Sequence, residues 1–275
     1  MKWKRSERLV DMTRHLLENP HELIPLTFFS NRYKAAKSSI SEDLAIVKET
    51  FEEQGTGKLV TVSGAAGGVK FVRKTAEAEV RGVASLLMEE LGRSDRLLPG
   101  GYLFMTDLLG NPRIMDRVGK VFASAFADME IDAVMTVATK GIPIAHAIGR
   151  HLNVPVVVVR RDSKVTEGST VSINYVSGST RRIQTMVLSK RSMRSGQKVL
   201  ITDDFMKAGG TMAGMKNLLE EFGCELAGIA VLVEAVHPEE VLVDNYLSLI
   251  KLQAVNEKDR TIELEEGNYF AEGGK

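Results

Sequence analysis

The chain has 275 residues, 44% of them hydrophobic, with Lys/Arg and Asp/Glu balanced at 36 each, the make-up of an ordinary globular protein with room for two domains. No apolar run approaches the roughly 20 residues a bilayer-spanning helix needs, and Met1-Lys2-Trp3-Lys4-Arg5 lacks the apolar core of a secretion signal. The single Cys224 rules out an internal disulfide, and the five histidines share no metal-ligand spacing with it or with one another, so the expectation is a cytoplasmic protein with no membrane contact and no metal site built from His or Cys.

Neutrality hides an asymmetry. Residues 1–73 hold 12 Lys/Arg against 9 Asp/Glu, and residues 74–275 hold 24 against 27. In the basic part, Leu9, Met12, Leu16 and Leu17 recur at helical spacing from Ser6 until Asn19-Pro20 stops them. A short second helix is predicted over Leu26–Tyr33, with Leu26 and Phe29 inward. Ser39 and Glu42 read as a capping box opening a third helix, on which Ile40, Leu44, Val47 and Phe51 follow. Two strand-like runs, Leu59–Val62 and Val69–Val72, flank a glycine-rich turn.

Three helices and a hairpin are the order of a winged helix-turn-helix, whose third helix enters the major groove. Its first turns would carry Lys34, Lys37, Ser38, Ser39 and Ser41, which can donate to phosphates or base edges. Lys2, Lys4, Arg5 and Arg8 precede or open the first helix and could reach phosphates, and Lys70 on the second wing strand completes the expected DNA-facing set. The alternative is a small packing or dimerisation domain. A single winged helix reads few base pairs, so a homodimer on a duplex operator is expected.

Beyond a hinge at Lys74-Thr75-Ala76, a helix is predicted over Glu77–Leu91. Strand-like runs (Ala133–Val137, Val154–Val159, Val199–Thr202, Leu226–Val233) then alternate with helical ones (Ile142–Leu152, Thr211–Phe222). Such alternation predicts an α/β domain on a parallel sheet, with ligands at the strand C-terminal ends. Tyr102, after Pro99-Gly100-Gly101, is either a stacking platform for a ligand or a half-buried core tyrosine. The stretch 160–198, read as loop-rich, holds 9 Lys/Arg against Asp162 and Glu167; it either closes over a polyanion, with Arg160 the first candidate contact, or forms a solvated or DNA-facing surface.

The most informative segment is Val199-Leu200-Ile201-Thr202-Asp203-Asp204-Phe205-Met206-Lys207-Ala208-Gly209-Gly210-Thr211. A β-rich run meets two carboxylates able to accept hydrogen bonds from vicinal ribose hydroxyls. A small-residue loop then opens a helix, whose unpaired N–H groups and dipole favour a phosphate. This segment resembles the 5-phosphoribosyl-1-pyrophosphate (PRPP) signature of type I phosphoribosyltransferases. With a winged-helix module ahead of it, the whole chain resembles the bacterial pur operon repressors.

The resemblance implies that residues 74–275 bind PRPP, with the loop Ala138-Thr139-Lys140-Gly141 holding its pyrophosphate and Mg²⁺ accompanying it. Asn153-Val154-Pro155, Arg160-Arg161, Lys164, Gly168, Tyr175, Gly178 and Ile183 resemble the adenine and xanthine branch of that family. It further implies a repressor of purine synthesis and transport genes, with PRPP as inducer. The same site could accept a purine nucleotide such as guanosine tetraphosphate, which would compete with PRPP and could act as corepressor. Where family enzymes carry Thr-Gly-Gly-Thr, this chain has Ala208, which argues against catalysis. An active purine phosphoribosyltransferase with an accessory domain is the alternative, and an RNA-binding attenuator on the same fold a third reading, though a groove-reading helix suits B-DNA better than A-form RNA.

Overall fold

In the computed structural model, which describes residues 3–64, 67–163, 165–176, 182–236 and 241–271, the chain divides into two units, the first made of residues up to Ala76 with His151–Asn153 and the second of the remainder from Glu77. The first begins with helix α1 (Arg5–Glu18), where the Glu7 carboxylate accepts the Lys4 backbone N–H at 2.7 Å. Helix α2 (Leu26–Tyr33) ends in a left-handed Lys34 (φ 53°). Helix α3 spans Lys37–Glu53. The expected Ser39–Glu42 box does not start it: extended Ala36 is the N-cap, without a side-chain cap, and Ser39 already lies in the first turn. Ser41 Oγ instead donates to the Lys37 carbonyl at 3.0 Å.

Strands β1 (Gly57–Val62) and β2 (Gly68–Arg73) pair antiparallel, Gly57 opposite Arg73 and Val62 opposite Gly68. Ile24 adds a bridge to Val69. Gly68 permits it, since a β-carbon there would lie 2.3 Å from the Ile24 carbonyl oxygen. Phe29 and Tyr33 of α2, Ile40 and Phe51 of α3 and Phe71 of β2 fill one core with Met12 and Leu16 of α1. Leu9, Leu17 and Leu26 pack on its margin, half-buried. The architecture is that of a winged helix. Residues 65–66 of the expected wing tip lie outside the described residues.

The second unit is a six-stranded sheet in the order β12-β11-β10-β9-β5-β6, formed by β5 (Ala133–Val137), β6 (Val156–Val159), β9 (Lys198–Met206), β10 (Glu225–Ala235), β11 (Tyr246–Asn256) and β12 (Thr261–Glu266). All its pairings are parallel except that of edge strand β12 with β11. Helices α4 (Glu77–Leu91), α5 (Thr106–Leu109), α6 (Pro112–Ala125), α7 (Ile142–Leu152) and α8 (Gly210–Glu221) accompany it, with a short hairpin of β3 (Leu97–Leu98) and β4 (Tyr102–Leu103). Strands β5 and β9 are neighbours, and the chain order reverses there. That is the crevice where open α/β sheets bind ligands.

The 160–198 stretch is not chiefly loop. It contains an antiparallel ribbon of β7 (Thr170–Val176) and β8 (Ile183–Ser189), whose Tyr175 and Met186 join the sheet core. The ribbon lies tight on α8, where a β-carbon at Gly214 would come 2.9 Å from Tyr175 Cγ. Alternation of apolar and polar residues along Thr170–Val176 was the missed signal.

Candidate effector site and nucleic-acid surface

An open cavity of about 890 Å³ lies at the C-terminal ends of the strands. Its walls are Leu98–Leu103 of the β3–β4 hairpin, Lys140, the continuous stretch Asp204–Met212, Ala235-Val236 at the end of β10 and Leu252–Val255 of β11. Thus Asp204, Phe205, Met206, Lys207, Ala208, Gly209, Gly210 and Thr211 all border one space with Tyr102 and Lys140. Tyr102 is 69% exposed, which removes the core-tyrosine alternative and leaves its ring at the cavity wall.

Gly209 is left-handed (φ 76°) and N-caps α8; a β-carbon there would meet Val243 Cγ2 at 3.0 Å. The loop backbone is fixed from behind, because Leu242 N–H donates to the Ala208 carbonyl at 3.0 Å. Ala208 itself is buried. The N–H groups opening α8 have no carbonyl one turn back, as at every helix start, and they belong to cavity-lining residues.

Asp203 stands behind the wall, 9% exposed, its Oδ1 accepting the Asp204 N–H at 3.0 Å. Ala138, Thr139 and Gly141 do not line the cavity, but buried Gly141 bears on the acid: a β-carbon there would lie 2.0 Å from Thr136 Oγ1 and 2.8 Å from Asp203 Oδ1. Burial pushes the Asp203 carboxyl well above the usual carboxylate range, and the neighbouring Asp204 charge pushes it further. Burial also raises Asp204, against the opposing pull of its hydrogen bond with Asp203 and of Lys140. The pair is poised to gain from hydroxyl donors or cations brought by a ligand. Among the described residues no group of three or more His, Cys, Asp or Glu gathers as a metal site.

Arg160 does not line the cavity; its Nε donates to Glu167 at 3.2 Å. The neighbouring Arg161 is the one whose charge reaches Asp203. Sequence reasoning also missed the wall contributed by β11 and the residues around Val236. Leu252–Val255 carries no polar motif, so only the sheet order reveals it.

On the winged helix, Lys4, Arg5, Lys34, Lys37, Ser38 and Ser41 are exposed, while Ser39 and Lys70 are half-buried. Lys2 lies outside the described residues. Arg5 is engaged: its Nε donates to buried Asp43 at 2.9 Å, and Arg8 Nε donates to the other oxygen at 2.8 Å. Among the described residues no helix is long and apolar enough to cross a membrane.

Comparison with known proteins agrees with both halves. Residues 4–73 match the family described as "Bacterial purine repressor, N-terminal", and residues 105–263 match the phosphoribosyl transferase domain. The "Purine biosynthesis transcriptional repressor PurR" of Bacillus subtilis is 62% identical over 98% of this chain and 95% of its own length. The "Purine biosynthesis transcriptional activator PurR" of Lactococcus lactis is 45% identical over 97% and 98%. Among solved structures, adenine phosphoribosyltransferase from Thermoanaerobacter pseudethanolicus shares the fold, with a TM-score of 0.51 at 21% identity over 60% of this chain and 97% of that one. A winged helix followed by a phosphoribosyltransferase fold, matched end to end by these regulators, shows that the chain belongs to the bacterial purine-biosynthesis transcriptional regulator (PurR) family.

Proposed function

We propose that the protein represses purine synthesis and transport genes by binding their control DNA as a homodimer, and that PRPP relieves the repression. The observation that carries this reading is the cavity. Buried Asp203 and half-buried Asp204, both with raised pKa values, stand toward the end of β9, ahead of a left-handed glycine and a helix N-terminus, the arrangement a ribose phosphate requires. The hydroxyls of the ribose would bond Asp203 and Asp204, the 5′-phosphate would sit on Gly209, Gly210 and Thr211, and Lys140 would face the pyrophosphate. Two carboxylates alone make an incomplete cation site, so Mg²⁺ would come held mainly by the pyrophosphate and its waters. Guanosine tetraphosphate, with two pyrophosphates on its ribose, would compete for the same donors, its base against Tyr102.

The regulator relatives and the buried Ala208 methyl in the phosphate loop favour a sensor over a transferase. A duplex from the control region of a purine-biosynthesis gene, titrated with the chain in the presence and absence of PRPP and Mg²⁺, tests the reading. Retarded DNA released by PRPP supports it. Turnover of PRPP with any purine base would support the enzyme alternative instead.

A further inference from the structure

We infer that Asp43 is the positioning residue of a phosphate clamp on the winged helix, and that Arg5 is the arm that grips the DNA backbone. The inference rests on the DNA-binding reading above and adds a geometry to it. Asp43 lies on the inward face of α3, 1% exposed, about a turn and a half beyond the exposed Lys37 and Ser38. Each of its oxygens receives a guanidinium from α1: Arg5 Nε on Oδ1 at 2.9 Å, Arg8 Nε and Nη2 on Oδ2 at 2.8 Å.

The two arginines differ in what remains. Arg8 is 14% exposed and commits both Nε and Nη2 to the carboxylate. Arg5 is 54% exposed and commits Nε alone, leaving its paired terminal donors open to solvent. Those donors match a phosphate, and an arginine already fixed at Nε loses less entropy on gripping one. A buried ion pair is a poor source of stability, because desolvation of the charges offsets their attraction; holding a geometry is the better account of it.

A second cluster in the same unit shows the contrast. Asp11 receives Arg32 at 2.6 Å and Arg14 at 3.1 Å, and Arg14 also meets Glu18 at 2.7 Å, so two cations meet two anions and the charge closes on itself. Around Asp43, Lys4, Arg5 and Arg8 outnumber Asp43 and Glu7. One cluster is neutral bracing between α1 and α2; the other keeps a surplus positive charge beside the start of α3.

The test is equilibrium binding of the full chain to control-region duplex over a salt series. Arg5→Lys keeps the charge but not the Nε-anchored fork, and should lose about tenfold or more in affinity, close to the loss for Arg5→Gln. Arg5→Gln should also lower the slope of log K against log salt by about 0.9 for each protomer bound, the mark of one phosphate contact apiece. Asp43→Asn removes a negative charge from a DNA-binding domain, so electrostatics alone would tighten binding. Positioning requires that it weaken binding, with no further loss when added to Arg5→Gln. Arg5→Lys equal to wild type overturns the inference, as does a folded Asp43→Asn that binds more tightly. If Asp43→Asn unfolds the domain, the exposed Arg5→Lys variant still decides. A wild-type chain that binds no duplex overturns the DNA-binding reading itself, a result distinct from equal binding by wild type and Arg5→Lys.

Discussion

The two units each bury an acid on a helix or strand that faces function, and they treat it oppositely. Asp43 of the winged helix has both oxygens occupied by guanidinium groups. Asp203 and Asp204 of the sheet have one another, a backbone N–H and cations acting through space, and burial drives both pKa values upward. A buried carboxylate whose partners come from the fold serves architecture. One left short of partners beside a cavity is held ready for a ligand, at some expense to the stability of the empty protein.

Removing the ready pair should have the largest effect. Asp203→Ala with Asp204→Ala should weaken PRPP by roughly two to four orders of magnitude, taking about 1.5–3 kcal/mol for each charge-assisted bond, while DNA binding persists. Near-native PRPP affinity by calorimetry would sink the site assignment. The mirror experiment is Lys37→Glu at the exposed start of α3. Reversing that charge should lower DNA affinity by about two orders of magnitude at low salt and leave PRPP untouched. Loss of both would mean the units do not divide the labour.

Gly141→Ala disturbs the pair without replacing either acid. Its β-carbon would enter the space of Thr136 Oγ1 and Asp203 Oδ1, displacing the carboxylate at a cost of about 1–3 kcal/mol in stability. PRPP affinity should fall by roughly tenfold or more, and unchanged affinity would show that Asp203 needs no fixed position.

The smallest effect concerns stability and pH. Because the folded pKa of Asp203 lies above its unfolded value, its favourable contribution is complete below the usual carboxylate range and is lost as pH rises through the folded pKa. Asp203→Asn should therefore raise the Tm of the ligand-free protein at neutral pH by a few degrees, roughly 2–4 °C per kcal/mol, with the gain vanishing as pH falls to where the carboxyl is protonated. A gain independent of pH would point to packing instead.

Much of this was legible in the sequence where signals were local. Helical spacing marked α2 and α4 to the residue, and the Asp203–Thr211 stretch announced its chemistry because strand, acids, glycines and helix are contiguous. Other features depended on distant residues. The Ser39–Glu42 pattern suggested a cap, but Ala36 in extended backbone begins α3 sooner. Arg160 and Arg161 are indistinguishable as letters, and only the fold turns one to Glu167 and brings the charge of the other to Asp203. The role of Asp43 was hidden because its partners lie 38 and 35 residues away.

If one chain joins a ribose-phosphate sensor to a DNA reader, linkage makes their coupling measurable in either direction. PRPP affinity should be determined calorimetrically for the full chain, alone and saturated with control-region duplex. DNA should weaken PRPP by the same factor by which PRPP weakens DNA, a factor lost in the Asp203→Ala/Asp204→Ala variant. Equal PRPP affinity with and without DNA would contradict that coupling.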